Sequence, residues 1–301
     1  MNKSRWVLPL SWLLAAAILL TGCHTQGSAS PSPSPSASPS ATPFPPSPTP
    51  IPLAAVVNGT PIPLAVFQAE YARFRAAQSA LGTEIAPQEN APQWVLNDLI
   101  DQMLLADGAY RNGYTPPDDA TLWQQATQEA GGEQALTDFL ARQGYSRKSF
   151  LAALRQARAA AWMVQHIAAQ VPSETEQVHV YQILVYNEEE AKNILRRLQQ
   201  GEKFQALAAA YDPQGRGDLG WFPRGYLSQP AIEQAAFALK VGEVSNIIHT
   251  SWGYHIIQVA GREERPLSPT IRRRLQMQAV QRWLKQQRTH STIQILLTPT
   301  P

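Results

Sequence analysis

Apolar positions along this chain change period more than once, and each change marks an element. Residues 54–58 form a short apolar strand closed by the turn signal Asn58-Gly59. Val66, Phe67, Tyr71, Phe74 and Leu81 then recur at helical spacing. A second, broader helical face runs through Trp94, Leu96, Leu99, Ile100, Met103, Leu104 and Leu105, and Gly113 with Pro116-Pro117 stops it. Two shorter helices are predicted over about 119–130 and 133–142. Ser146 then reads as the N-cap of a long alanine-rich helix reaching about Gln170, closed by Pro172. From Val178 the period shortens. Strands are predicted at 178–185, 217–222, 244–250 and 254–259. Between them fall a helix capped by Asn187, a helix through Phe204, Leu207 and Tyr211, and a helix over 234–239. The order βαα, β, α, ββ is that of an α+β unit. A last helix over 268–288 and a strand over 292–297 follow it. That final strand is expected to pair with 54–58, so that the α+β unit is inserted in, or appended to, a helical domain.

Composition changes the picture mainly at the N-terminus. The chain has 301 residues and a formal charge of +2, and Lys3 and Arg5 account for both charges. They precede an uncharged run from Trp6 to Leu20, the pattern of an export signal, shorter than the ~20 apolar residues a membrane span needs. The run ends Leu20-Thr21-Gly22-Cys23, which resembles the lipobox of bacterial lipoproteins. That resemblance implies a diacylglyceryl thioether on Cys23 and cleavage before it; the plainer alternative is an ordinary signal followed by a free cysteine. Residues 27–52 are nearly all Pro, Ser, Ala and Thr, too poor in apolar surface to repay ordering, and read as an extended tether. The expected division is signal peptide 1–22, tether 23–52, helical domain 53–172, α+β unit 175–263, and closing helix and strand 266–298.

A single cysteine excludes a disulfide framework. Arg272, Arg273 and Arg274 are too short a run to argue for nucleic acid. The six histidines lie scattered without ligand spacing, and there is no Gly-rich phosphate loop, so neither a metal nor another cofactor is expected.

Five landmarks occur in order after residue 177: Gln182-Ile183-Leu184-Val185; Gly201-Glu202-Lys203-Phe204; Gly217-Asp218-Leu219-Gly220-Trp221-Phe222; Ala235-Ala236-Phe237-Ala238-Leu239 leading into Gly242-Glu243; and Thr250 followed by Gly253-Tyr254-His255. Residues 177–262 thereby resemble the parvulin (PpiC, rotamase) family of peptidyl-prolyl isomerases, and the whole chain resembles foldases and chaperones of the PrsA and SurA type. The resemblance implies a four-stranded, antiparallel-type sheet with surrounding helices. It places His255 and Thr250 on catalytic positions, Asp212 approximately on the family's acidic or cysteine position, and Gln182 where the family has its first histidine. Leu219, Phe222, Leu227, Ile232 and Phe237 are expected to contact substrate, Leu227 standing in for a methionine that is Ser228 here. His179 does not replace the missing histidine, because residues three apart on a strand face opposite ways. Asp212 reads equally well as a cap on the turn before Pro213, and Phe237 reads as core more readily than as pocket.

Rotating an Xaa-Pro amide breaks no covalent bond but crosses a barrier of ~18–20 kcal/mol. Binding the twisted form better than either planar form is all a catalyst must do, and an apolar cleft suits that form. The resemblance therefore implies an outer-surface isomerase acting on unfolded, newly exported chains with Xaa-Pro bonds, weakened by Gln182. The alternative is a non-catalytic holdase that recognises proline-containing segments. Trp94 and the apolar helical stripes read as the helical domain's core, or as a cradle for such clients.

Overall fold

The computed structural model describes residues 51–82 and 90–297. Cys23, the signal run and nearly all of the tether lie outside the described residues. The chain divides into two compact units: one comprises residues 1–165 and 283–301, the other residues 166–282.

The first unit begins with strands β1 (Leu53–Val57) and β2 (Thr60–Pro63). Helices α1 (Leu64–Leu81), α2 (Ala91–Arg111), α3 (Asp119–Glu129) and α4 (Glu133–Gln143) follow, then most of α5 (Arg147–Ala169). Ser146 caps α5, its hydroxyl accepting the Ser149 N–H at 3.1 Å. After α9 (Pro269–His290), strand β7 (Ile293–Ile295) returns to pair antiparallel with β1, Ala55 opposite Ile295, giving a sheet ordered β2-β1-β7. The periodic stripe of α2 supplies the core: Val95, Leu96, Ile100 and Leu104 are each at most 1% exposed, and the Phe74 and Trp94 rings meet at 5.1 Å. Full burial of such side chains is worth about 1.5–3 kcal/mol each. Leu284, Ile293 and Leu297 pack on the same core, so the chain's end helps to close this unit. Strand β2 was not expected from the sequence. Its Pro61 and Pro63 sit on an edge strand, where a missing N–H costs least.

The second unit is built on a four-stranded antiparallel sheet ordered β4-β3-β6-β5. Its elements are β3 (Glu174–Val185), α6 (Glu188–Gln199), α7 (Phe204–Tyr211), β4 (Asp218–Pro223), α8 (Pro230–Ala238), β5 (Ile248–Thr250) and β6 (Gly253–Pro266). Strands β3 and β6 pair along their whole length, with Gln182 opposite Ile257 and Leu184 opposite His255. On one face Ile183, Val185 and Ile256 bury against Ala191 and Ile194 of α6 and Phe204 and Leu207 of α7. On the other, Val178, Val180, Ile257 and Val259 bury against Phe222 of β4 and Ile232, Ala236 and Phe237 of α8. Two strands differ from expectation. β6 runs on to Pro266, because a bulge that leaves Ala260 unpaired shifts the register and lets charged residues continue the ladder. β5 is only three residues long, because the segment before it is held otherwise: Val244 makes an isolated bridge to Gln258, and the Ser245 hydroxyl accepts the Ile257 N–H at 3.0 Å.

Candidate active site

Strand parity places the site. Gln182 and Leu184 continue the face of β3 that carries Val178 and Val180, and His255 continues the face of β6 that carries Ile257 and Val259. Thr250, the last residue of β5, pairs with Gly253 across the turn into β6. These three strands therefore bring Gln182, Thr250 and His255 to one face of one sheet.

The three side chains form a directional chain of hydrogen bonds. The His255 ring, in a residue 1% exposed, lies with Nδ1 3.3 Å from Gln182 Oε1 and Nε2 2.8 Å from Thr250 Oγ1. An amide oxygen only accepts, so Nδ1 carries the proton and donates to Gln182. Nε2 then accepts from the Thr250 hydroxyl. That hydroxyl oxygen itself accepts the Trp252 N–H at 3.0 Å. No member is charged, and burial pushes the His255 pKa below its ordinary value, which keeps the imidazole neutral. Gln182 thus supplies the acceptor at one end of this chain.

Apolar residues share this sheet face. Leu219 on β4 and Leu227 in the loop before α8 are partly buried against its cluster, which includes Ile232, 4% exposed. Phe222 and Phe237, also expected to contact substrate, are buried in this face of the unit. Phe222 is 0% and Phe237 7% exposed. Their rings meet edge to face at 6.2 Å, and the Arg224 guanidinium covers Phe237 at 4.1 Å. They belong to the same buried cluster as Ile232.

Asp212 takes the place of a fastener. Its carboxylate accepts the N–H of Gly215 at 2.9 Å and of Gly217 at 3.2 Å, and these bonds hold its pKa below the usual carboxylate range. Gly217 in turn presents its carbonyl to the Gln182 N–H at 2.7 Å. No bond joins Asp212 to His255 or Thr250 among the described residues; it steadies the loop on which Gln182 leans. Glu233, not foreseen from the sequence, does the same for the apolar wall. Its two carboxylate oxygens accept the N–H groups of Gly225 at 2.7 Å and Leu227 at 3.0 Å, which fixes the loop carrying Leu227. The signal was available: an acid in the first turn of a helix that opens on Pro230.

On the opposite face His179 stacks on Trp221 at 5.4 Å, and its Nε2 lies 2.7 Å from Asp218. It touches none of the three site residues.

The helical unit holds a separate cavity of about 490 Å³, lined among others by Pro61, Pro63, Val66, Met103, Tyr145 and Ala153. Glu70, Arg73 and Tyr145 lie along it. Arg73 pairs with Glu70 at 2.5 Å and stacks on the Tyr145 ring at 4.0 Å, and the Tyr145 hydroxyl donates to Glu70 at 3.0 Å. Burial, with the Glu70 charge beside it, pushes the Tyr145 pKa up. With Glu70, Arg73 and Tyr145 paired among themselves, this cavity offers a visitor mainly apolar surface.

Residues 166–261 match the family described as PPIC-type PPIASE domain, and residues 10–163, just over half of the chain, match the SurA-like N-terminal domain. Among curated proteins the chain is similar to foldase protein PrsA of Caldanaerobacter subterraneus, 45% identical over 89 residues, which is 28% of this chain and 29% of that protein. It is 36% identical over 121 residues to foldase protein PrsA of Geobacillus sp. WCH70, covering 38% and 43% of the two chains. The similarity thus spans less than half the length of these relatives. Among solved structures, peptidylprolyl isomerase (PrsA) from Bacillus cereus aligns over 79% of this chain and 89% of its own at 22% identity, with a TM-score of 0.44.

Proposed function

The chain belongs to the SurA-like N-terminal domain family and carries a PPIC-type rotamase domain, and from that premise we propose that it is a foldase whose second unit turns Xaa-Pro peptide bonds in unfolded polypeptides. One observation carries the reading: the uncharged chain Gln182–His255–Thr250 lies on the sheet face that also bears the Leu219, Leu227 and Ile232 wall. The prolyl ring rests on the wall, which fixes the axis of rotation. The carbonyl of the preceding residue swings over polar groups that can follow it with hydrogen bonds. At the half-turned geometry amide resonance is lost and the nitrogen is amine-like, so an uncharged, largely apolar cleft favours it over the planar forms. His255, Thr250 and Gln182 act by hydrogen bonding alone, and no proton leaves the site. Asp212 and Glu233 are positioning residues.

The same reading assigns a place and a partner. The protein acts outside the cytoplasm, is exported by residues 1–22 and is held to a membrane through lipid on Cys23; the sequence Leu20-Thr21-Gly22-Cys23 supports this. Among the described residues no helix is long and apolar enough to cross a membrane. The clients are extended, newly exported chains. The cavity in the helical unit, apolar with internally paired polar groups, supports a holding role for that unit.

The test is the cis–trans relaxation of a short Ala-Pro peptide, which takes tens of seconds unaided. Catalytic amounts of the chain should shorten it in proportion to protein concentration. An unchanged relaxation time, with client aggregation still suppressed, would leave a holdase and no enzyme.

A further inference from the structure

The small sheet of the helical unit, ordered β2-β1-β7, has two outer edges, and they are built differently. Strand β1 gives alternate residues to its two neighbours. The Asn58 N–H donates to the Thr292 carbonyl at 2.9 Å, and the Leu296 N–H to the Ala54 carbonyl at 2.9 Å. Val56 and Gln294, opposite each other, continue that bonded set by alternation. Ala55 and Val57 therefore bond the other neighbour, opposite Ile62 and Thr60. Pro61 and Pro63 fall on the outward positions of β2, where neither has an N–H to offer.

On β7 the outward positions are Ile293 and Ile295. Each carries a backbone N–H and C=O directed away from β1, and among the described residues no hydrogen bond reaches them from that side. Residues 291–297 contain no charge and no proline. Ile295 is 48% and Leu296 50% exposed. Free edges are usually blunted by proline, by charge or by a covering element. Strand β2 has the first, and β7 has none of them among the described residues.

The chemistry of this edge says what fits it. Two donors and two acceptors alternate along one line at strand spacing. A helix has spent its own backbone groups internally, whereas an extended polypeptide meets all four. A second copy is a poor guest, because pairing three residues with three brings together far less than the ~1,000 Å² that a stable interface buries. Recognition through backbone also ignores most of a client's side chains, which suits a protein that meets many sequences. It requires N–H groups from the guest, so a docked segment is free of proline. We propose that the outer edge of β7 holds extended, proline-free segments of unfolded clients by strand addition. The inference rests on the foldase reading for the identity of the guest and adds the manner of holding.

The probe is a fluorescein-labelled Thr-Val-Thr-Val-Thr-Val-Thr peptide titrated into the full chain. Its counterpart is methylated on every backbone nitrogen, which keeps the side chains and removes the donors. The methylated peptide should bind at least about tenfold more weakly, the scale of two lost hydrogen bonds. The unmethylated one should slow hydrogen exchange at the Ile293 and Ile295 amides. Ile295→Pro removes one outward N–H, as Pro61 does on the other edge, and should weaken binding by about threefold or more. Absent or equal binding of the two peptides, unchanged exchange at both amides, or undiminished binding by folded Ile295→Pro overturns the proposal. So does a dimer in sedimentation that Ile295→Pro turns into a monomer, since the edge then belongs to a second copy. Should Ile295→Pro not fold, amide exchange in the unaltered chain decides alone. Relaxation of the Ala-Pro peptide reports the isomerase reading separately, so either reading can fail without the other.

Discussion

The two faces of the β3–β6 sheet each carry a histidine in a polar group, and the groups differ in kind. On one face His255 is enclosed, neutral, and bonded to an amide and a hydroxyl beside an apolar wall. On the other His179 is partly open to water, stacked on Trp221 and set against the carboxylate of Asp218. Trp221 is itself covered by the Arg265 guanidinium at 4.4 Å. The first group shares its face with a buried apolar cluster; the second is a surface cluster. His179 lies three residues from Gln182 in sequence, and strand parity puts it on the other side of the sheet.

The comparison breaks most severely if the site face loses its support. Gly217 has a φ of +68°, and a Cβ there would fall 2.1 Å from the Gln182 carbonyl oxygen, a contact with backbone that no side-chain motion relieves. Gly217→Ala should cost more than about 2 kcal/mol, read as a lower denaturant midpoint, and should take turnover with it. Next in size is His255→Ala, expected to lower kcat/KM by roughly ten- to a hundredfold, the range of lost transition-state hydrogen bonding.

A smaller effect sharpens the contrast through pH. Burial lowers the His255 pKa below that of the unfolded chain, so the unfolded state binds the extra proton first. Stability should be independent of this group above about pH 6.5. It should fall as pH drops from there toward the lower folded-state value. In denaturant titrations His255→Gln should remove that slope. Smallest of all is His179→Ala, which should change turnover by less than about twofold and stability by less than about 1 kcal/mol, as is usual for a surface pair.

Much of the fold was legible because local physics decided it. Ser146 and Asn187 are found as caps, the helical stripes bury as their period requires, and the final strand pairs with the first. What escaped was set by tertiary context. Pro61 and Pro63 are tolerated in β2 only because it is an edge, and β6 could not be followed past Val259 because the bulge at Ala260 resets the alternation. In the site, Phe222 and Phe237 read the same as Leu219 and Leu227, since an apolar residue does not announce how deeply it is buried. Glu233 acts through contacts with a loop, which become visible only once that segment has a shape.

Exchange NMR on an Ala-Pro peptide, run side by side with the full chain, His255→Ala and His179→Ala, puts the two faces against each other in one measurement. The predicted result is cis–trans exchange well above the uncatalysed rate for the full chain and for His179→Ala, and nearly lost for His255→Ala. Equal loss in both variants, or none in either, would contradict the assignment of catalysis to the Gln182–His255–Thr250 face.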